Sequence, residues 1–264
     1  MALPPHRTEV TDPDTPPPGR PRRLSRGALL VALLAAAFAL MAVLAGFGSR
    51  WNLWTFRTGF TLLRWAAYGG IAVVLLSLGA LYRVRPGGPR RGIPLALFGL
   101  AVGLLLVVIP WSWMQRAQGV PPIHDITTDT QNPPQFVAVA PLRADAPNPI
   151  AYGGAEVAAQ QREAYPDIQP LLLEMPMASA YRRALEGARA MGWEVVEADS
   201  VGGRIEATDE TFWFGFKDDV VIRLTSAGER TILDVRSLSR VGGGDVGTNA
   251  ARIREYLDEV RGGS

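Results

Sequence analysis

The sequence has no cysteine and contains only one lysine and two histidines among its 264 residues. Without cysteine the chain has no disulfide framework, no thiol nucleophile and no cysteine-ligated zinc or iron–sulfur site. A single lysine among 27 basic residues is common in proteins of high-GC bacteria and suggests a bacterial source. The sequence also lacks a nucleophile elbow, a phosphate-binding loop and a dinucleotide fingerprint, so no familiar enzyme class is indicated.

Charged residues are missing from three long runs in the N-terminal half, which are 23, 18 and 24 residues long. A helix needs about 20 apolar residues to cross about 30 Å of hydrocarbon, so the runs predict transmembrane helices near 28–47, 64–82 and 93–113. Because no charge interrupts the runs, nothing indicates a proton relay or an ion path, which argues against a transporter. A cleaved signal peptide is the competing interpretation of the first run, although that run exceeds the usual length of about 7–15 residues.

Basic and acidic residues are unevenly divided along the chain. Residues 1–116 contain 13 arginines and 3 acids, whereas the remainder contains 14 basic and 22 acidic residues. The resulting formal charges of +10 and −8 argue against a uniform soluble enzyme. The acidic half also lacks the excess of basic residues that binding to nucleic acid requires, so we expect no nucleic-acid partner.

The arginines near the predicted spans are divided eight to four between the two sides of the membrane. The first set is Arg20, Arg22, Arg23, Arg26, Arg83, Arg85, Arg90 and Arg91, and the second is Arg50, Arg57, Arg64 and Arg116. Because positive loops stay in the cytoplasm, this excess predicts a bacterial inner-membrane protein with a cytoplasmic N-terminus and a periplasmic C-terminal domain.

The composition divides the chain into four parts. Residues 1–26 are rich in proline and predict a disordered basic tail, whose arginines we interpret as a topology signal, with binding of anionic lipid headgroups as the alternative. Residues 27–116 form the three-helix transmembrane region. Residues 117–177 form an extended Pro-rich linker with a short helix, and residues 178–264 form the α+β core of the exported domain.

The last part of the chain combines helical and strand patterns. Apolar residues recur at helical spacing from Ala178 to Met191 and again near 246–261, where Asp245 is placed to cap the helix. Four strands are predicted near 193–199, 203–214, 219–226 and 230–238. Their short glycine-containing links favour antiparallel hairpins. We therefore expect an α+β two-layer domain with a four-stranded antiparallel sheet and helices on one face.

Several unusual strings in this region resemble the domain of unknown function 1499 family. They are Ile123–Asp129, Asn132–Phe136, Gly203–Thr208, Phe212–Arg223 and Asp234–Gly242. The resemblance implies a membrane-anchored or exported domain, in agreement with the hydropathy. It supplies no catalytic residues.

Two groups of acidic residues are candidates for chemistry. His124 could bind a metal or act in acid–base catalysis with Asp125 and Asp129, although the spacing matches no known metal motif, so we expect capped turns and no metal. Asp218 and Asp219 could share a proton or hold a cation. Since successive strand residues point to opposite faces, we favour a turn role for the first and an arginine partner for the second.

A third candidate is the turn before the last helix. Arg236 and Arg240 precede a glycine-rich turn that contains Gly243 and Gly244, and its amides could bind a small anion. Asp245 would repel an anion there, so the favoured interpretation is a charge ladder on the open face of the sheet. The ladder would consist of Arg204, Glu206, Arg223, Asp234 and Arg236.

An aromatic run of Phe212, Trp213, Phe214 and Phe216 lies at the end of the second predicted strand and in the link that follows it. Such a large apolar surface must meet a helix, a lipid, a ligand or a partner. We expect it to pack beneath the layer formed by residues 114–170.

The sequence favours a membrane-anchored periplasmic domain that binds or scaffolds another envelope component, without catalysis and without a cofactor. Its partners would be the lipid bilayer and an envelope protein. The alternative is a periplasmic anion-binding protein or hydrolase-like enzyme that uses Arg236, Arg240 and the glycine-rich turn. A third possibility is a subunit of a larger membrane complex, in which the helices form the interaction surface.

Overall fold

The structure is a computed structural model that describes residues 23–84 and 90–262. Most of the predicted disordered tail lies outside the described residues, as do Arg20, Arg22 and Arg85 of the arginine-rich side.

Three long helices form an N-terminal bundle: α1 (Arg26–Arg50), α2 (Phe56–Val84) and α3 (Ile93–Gln118). Each is long and apolar enough to cross a membrane, which confirms the three candidate spans. All three helices extend beyond the predicted spans, because hydropathy marks only the part of a helix that suits hydrocarbon.

Glycines allow the three helices to approach one another closely. A Cβ atom at Gly70 would lie 2.8 Å from the Cβ of Leu106, and a Cβ atom at Gly99 would lie 2.4 Å from Val31 Cγ1. Small residues at such contacts bring backbones together and increase van der Waals packing.

A short ribbon joins the start of α1 to the start of α3. Its strands, β1 (Arg23–Leu24) and β2 (Arg90–Arg91), pair in parallel. The Ser25 amide then donates to the Arg91 carbonyl over 2.9 Å, and the Ser25 hydroxyl caps α1. The ribbon therefore holds two arginine-containing segments side by side.

The C-terminal domain contains six strands and three α-helices among its described residues. In chain order they are β3 (Asp125–Thr127), α4 (Gly154–Ala164), β4 (Leu171–Leu173), α5 (Met177–Ala190), β5 (Glu194–Asp199), β6 (Arg204–Glu210), β7 (Lys217–Ala227), β8 (Arg230–Ser239) and α6 (Thr248–Gly262). The predicted order from α5 through four antiparallel strands to α6 is confirmed.

The sheet has six strands, so the expectation of four was wrong. Both β3 and β4 pair antiparallel with the outer edge of β8. Each contains three residues, which is too short to produce a recognisable alternation. On the far edge of β3, the side-chain amide of Gln161 in α4 accepts from the Thr127 amide over 3.0 Å and donates to its carbonyl over 2.6 Å.

One face of the sheet packs against α5 and α6 and forms the main core. Strand residues such as Ile205, Val220 and Val235 contact Ile253 and neighbouring apolar residues of the helices. We call this the helix-covered face. It corresponds to the single apolar face that the two-layer prediction required.

The other face lies beneath an irregular stretch, residues 129–150, which we call the covering segment. Phe136 and Val139 of this segment pack on Val221 and Leu238 of the sheet. On this loop-covered face Glu206, Asp234 and Arg236 are buried and Arg204 and Arg223 are partly buried, so the expectation of an open face was wrong. The domain therefore has a third, irregular layer, and its residues fall within the layer predicted for 114–170.

Candidate functional site

Arg236 lies at the centre of the loop-covered face and is fully buried. Its Nε and Nη2 atoms donate to the two carboxylate oxygens of Asp125 over 2.9 and 2.8 Å. Nη1 donates to the Pro134 carbonyl over 3.2 Å, and Nη2 also donates to the Ile150 carbonyl over 2.8 Å. The guanidinium therefore joins β8, β3 and both ends of the covering segment.

Two aromatic rings enclose the same guanidinium. The Arg236 Cζ atom lies 5.1 Å from the ring centre of Phe136 and 5.5 Å from that of Tyr152. Burial, with the nearby Asp125 carboxylate, raises the pKa of Tyr152 to about 12. The enclosed guanidinium therefore stabilises the fold and is not accessible to a ligand, since a ligand could reach Arg236 only if the covering segment moved away.

Arg240 has a similar arrangement at the end of β8. Its Nε and Nη2 atoms donate to Asp219 over 2.9 and 2.8 Å, and Nη1 donates to the Leu142 carbonyl over 2.9 Å. Arg143 of the covering segment approaches the same carboxylate at 3.1 Å. Burial lowers the pKa of Arg143, although the charge of Asp219 opposes that shift.

The neighbouring Asp218 points to the helix-covered face. Its carboxylate accepts from Arg252 Nη2 of α6 over 2.6 Å, and the same arginine contacts Asp209 and Asn249. The two adjacent carboxylates therefore do not converge, as strand alternation predicts. Asp219 has the arginine partner that we favoured, whereas Asp218 pairs with α6 and does not form a turn.

His124 and Asp129 have different partners and are not brought together in one site. The His124 carbonyl accepts from the amide of Ser239 and the side chain of Asn249, each over 3.0 Å, while its buried Nδ1 has no partner among the described residues. Asp129 pairs with Arg223 over 3.0 Å. Across residues 23–84 and 90–262, no group of three or more His, Cys, Asp or Glu side chains could hold a metal ion.

The glycine-rich turn packs against the chain that leaves α3. A Cβ atom at Gly244 would lie 3.1 Å from Pro122 Cα, and the Asp245 amide donates to the Ile123 carbonyl over 3.3 Å. The Asp245 carboxylate caps α6 by accepting from the Asn249 amide over 2.6 Å. A carboxylate occupies the place that an anion would need, and Gly243 has open space around it.

The aromatic run forms a loop that contacts the helix bundle. We call residues 211–216 the aromatic loop. Trp213 Nε1 donates to the Val43 carbonyl of α1 over 2.9 Å, and a Cβ atom at Gly46 would lie only 2.3 Å from the indole. The expectation that the run packs beneath residues 114–170 was wrong, because its partners are the helices.

Two further aromatic side chains of the loop pack on α2. Phe214 and Phe216 stack with ring centres 5.3 Å apart. Phe60 lies 5.0 Å from the first of these rings, and Phe56 lies 5.8 Å from the second. A Cβ atom at Gly59 would lie 2.8 Å from Phe214, so this glycine makes room for the contact.

Arg50, the last residue of α1, completes the attachment. Its Nη2 atom lies 3.1 Å from Glu210 Oε1, and Nη1 donates to the carbonyls of Thr211 and Phe212 over 2.8 and 3.1 Å. We call the aromatic loop together with its contacts to Arg50, α1 and α2 the aromatic clamp.

The domain is thus attached to the bundle at two places, by the aromatic clamp and by the packed connection from α3 to β3. The molecule combines three candidate membrane-spanning helices with a docked α+β domain. A family model described as protein of unknown function (DUF1499) matches residues 125–260, and the chain belongs to this family. The match begins at β3 and leaves the three helices outside. No curated protein matches the chain.

Proposed function

We propose that this protein is a non-enzymatic binding or scaffolding module of the bacterial envelope. Three helices would anchor it in the inner membrane, with a cytoplasmic N-terminus and a periplasmic domain. The observation that carries the proposal is the aromatic clamp. A domain that needs only a tether requires one covalent connection, whereas this domain is also fixed by aromatic contacts and the Arg50–Glu210 ion pair.

A fixed orientation favours the binding of a large partner. Aromatic pairs such as Phe60–Phe214 each contribute about 0.5–1.5 kcal/mol beyond the area that they bury. A surface that is already ordered loses less conformational freedom on association, and a partner therefore binds it more tightly. The clamp supports a role in which the domain presents one constant surface at the membrane.

The polar groups of the domain support binding more than catalysis. Arg236 and Arg240, which the anion-binding or hydrolase-like alternative requires, are engaged by Asp125 and Asp219. An anion would have to replace a carboxylate that makes two parallel hydrogen bonds, and such bidentate pairs are strong. No observation on the described residues favours this alternative.

The arrangement of the helix ends supports the proposed topology. The end of α1, the start of α2 and the end of α3 all lead to the side where the domain docks, while the ribbon of arginines lies at the opposite end. A reporter that is active only outside the cytoplasm, fused after Ser264, should be active. Activity of a cytoplasmic reporter at that position would overturn the proposed localisation.

Native mass spectrometry of the full-length protein, extracted gently from its own membrane, tests the scaffolding role. We expect one stoichiometric protein partner. Trp213→Ala removes the clamp contact to α1 and should reduce the retained partner several-fold. Trp65→Ala is the matched control, because Trp65 is exposed on α2 and contacts Tyr68 outside the clamp. A bound small molecule on an otherwise lone protein would contradict the scaffolding role.

A subunit role for the helices requires a different test. Replacing the spans by an unrelated anchor would also remove Val43 and Gly46, which hold the clamp. Substitutions on the outer surface of the bundle, such as Leu75→Ala and Leu105→Ala at exposed positions, leave the clamp intact. Loss of the partner in these variants alone would favour the helices as the interaction surface.

A further inference from the structure

The end of the bundle opposite the domain collects exposed arginines. Five of them are described, and we call them the basic end: Arg23, Arg26, Arg83, Arg90 and Arg91. The β1–β2 ribbon sets Arg23 directly opposite Arg90. All five side chains are exposed, so this end presents a fixed set of guanidinium groups next to three apolar helices.

The chain supplies almost no countercharge for the basic end. From Thr15 to His124 the sequence contains no aspartate or glutamate. Within residues 23–84 and 90–262, none of the five arginines makes an ion pair or a side-chain hydrogen bond. Segments 1–26 and 83–91 together contain nine arginines against three carboxylates, an excess of six positive charges.

The opposite end of the bundle differs in this respect. Arg50 pairs with Glu210 of the domain. The guanidinium carbon of Arg57 lies 5.9 Å from the Phe56 ring centre, and that of Arg116 lies 5.7 Å from the Trp113 ring centre. Three of the four arginines at the domain end therefore have partners among the described residues, whereas the five arginines of the basic end have none there.

The position of the basic end favours lipid phosphate as that partner. Ser25 and Gly92 connect the ribbon directly to the first residues of α1 and α3. The arginines of the ribbon are therefore adjacent in sequence to the apolar helices, where a membrane would place its headgroup phosphates. The N-termini of α1 and α3 add positive potential, of which the C-terminus of α2 offsets a part, and guanidinium forks match phosphate oxygens.

We propose that the basic end binds the phosphate groups of anionic phospholipids, with Arg23, Arg90 and Arg91 of the ribbon as the principal ligands. The ribbon fixes two segments that are distant in sequence, so that several guanidinium groups act on one headgroup or on adjacent headgroups. This binding is independent of the partner surface proposed for the domain.

The test uses purified full-length protein in detergent, titrated with dioleoyl phosphatidylglycerol or with the zwitterionic dioleoyl phosphatidylcholine. Native mass spectrometry counts the retained lipids. We expect wild-type protein to retain the anionic lipid in preference to the zwitterionic one. The triple variant Arg23→Gln, Arg90→Gln and Arg91→Gln should lose about tenfold or more of that preference, because each basic residue near anionic lipid contributes to binding.

The matched control carries the same number of substitutions at the other end, Arg57→Gln, Arg64→Gln and Arg116→Gln, and should keep the preference. Equal retention of both lipids by the wild-type protein would overturn the proposal without any variant. A loss in the control as large as in the ribbon variant would overturn the role of the ribbon. Displacement of the lipid by an equal concentration of inorganic phosphate would instead assign a free-anion site.

Discussion

The two faces of the sheet are stabilised mainly by different kinds of interaction. The helix-covered face buries aliphatic residues against α5 and α6, and its free energy comes from removing apolar area from water. The loop-covered face buries Glu206, Asp219, Asp234 and Arg236, whose desolvation must be offset by paired charges and hydrogen bonds. The first face depends mainly on a well-packed apolar layer, although it also buries the Asp218–Arg252 ion pair, whereas the second depends mainly on particular charged partners.

The charged side chains of the loop-covered face explain why an irregular segment can cover one face of the sheet. The covering segment has few backbone partners of its own, and the charged side chains of the sheet supply them. Arg236 donates to the Pro134 and Ile150 carbonyls, and Glu206 accepts from the Val137 and Val139 amides. The charged side chains of the loop-covered face therefore fix the path of the covering segment.

Breaking the central ion pair should have the largest effect. Arg236→Ala leaves the Asp125 carboxylate buried without its partner, and we expect a loss of about 3–5 kcal/mol in the free energy of unfolding. Thermal unfolding of the full-length protein in detergent measures it. Arg230→Ala is the control, because its ion pair with Glu174 is exposed and such pairs contribute about 0–1 kcal/mol. Equal losses would mean that the buried pair has no special role.

Two adjacent valines allow the faces to be compared with the same chemistry. Val220 belongs to the helix-covered core and Val221 to the small core under the covering segment, and both are fully buried. We expect Val220→Ala to cost about 2–3 kcal/mol and Val221→Ala about 1–2 kcal/mol. The difference arises because an irregular segment can collapse into a cavity more easily than packed helices can. A larger loss at Val221 would contradict this view of the covering segment.

A smaller and more local effect is expected at Glu206. Glu206→Gln replaces one acceptor oxygen by an NH2 group, so that one of the Val137 and Val139 amides faces a donor, at a cost of about 1–2 kcal/mol. Hydrogen exchange should become faster at those two amides but not at Ile205 of the helix-covered face. Glu197→Gln is the control. Glu197 pairs with Arg204, as Glu206 does, but Glu197 is partly exposed. Uniformly faster exchange would indicate global destabilisation instead.

Local sequence patterns predicted the elements that repeat over many residues. The four hairpin strands and the two covering helices were found, because alternation and glycine-containing links persist over each of them. The pairing of Arg236 with Asp125 was missed, since these residues are 111 positions apart in sequence. Strand β3 is too short to show a period, so its place beside β8 has no local signal.

The aromatic clamp was missed for a related reason. The unusual aromatic run was visible, but its partners Gly46 and Gly59 lie in helices where glycine is unremarkable. What distinguishes these glycines is a contact with residues more than 150 positions later, such as the bond from Trp213 to Val43. Periodicity can indicate that a surface is apolar, but it does not identify the surface that it meets.

The smallest expected effect separates the two faces by their response to pH. On the loop-covered side, partial burial acts to raise the pKa of Asp129, but the amides of Asn132 and Gln131 and the charge of Arg223 outweigh it, and the pKa is lowered. On the helix-covered side, burial raises the pKa of Asp245 despite its bonds to the amides of Asn249 and Gly247.

The two shifts have opposite consequences for stability. Asp129 contributes stability that is present above its ordinary pKa of 3.8 and is lost as the pH falls through its lower folded value. The raised pKa of Asp245 contributes stability that is present below 3.8 and is lost as the pH rises through its folded value. Unfolding of Asp129→Asn and Asp245→Asn between about pH 2 and 7 should therefore change the pH dependence of stability in opposite directions. If both substitutions changed the pH dependence of the free energy of unfolding in the same direction, the two carboxylates would experience the same kind of environment. The difference between the two faces would then not extend to Asp129 and Asp245.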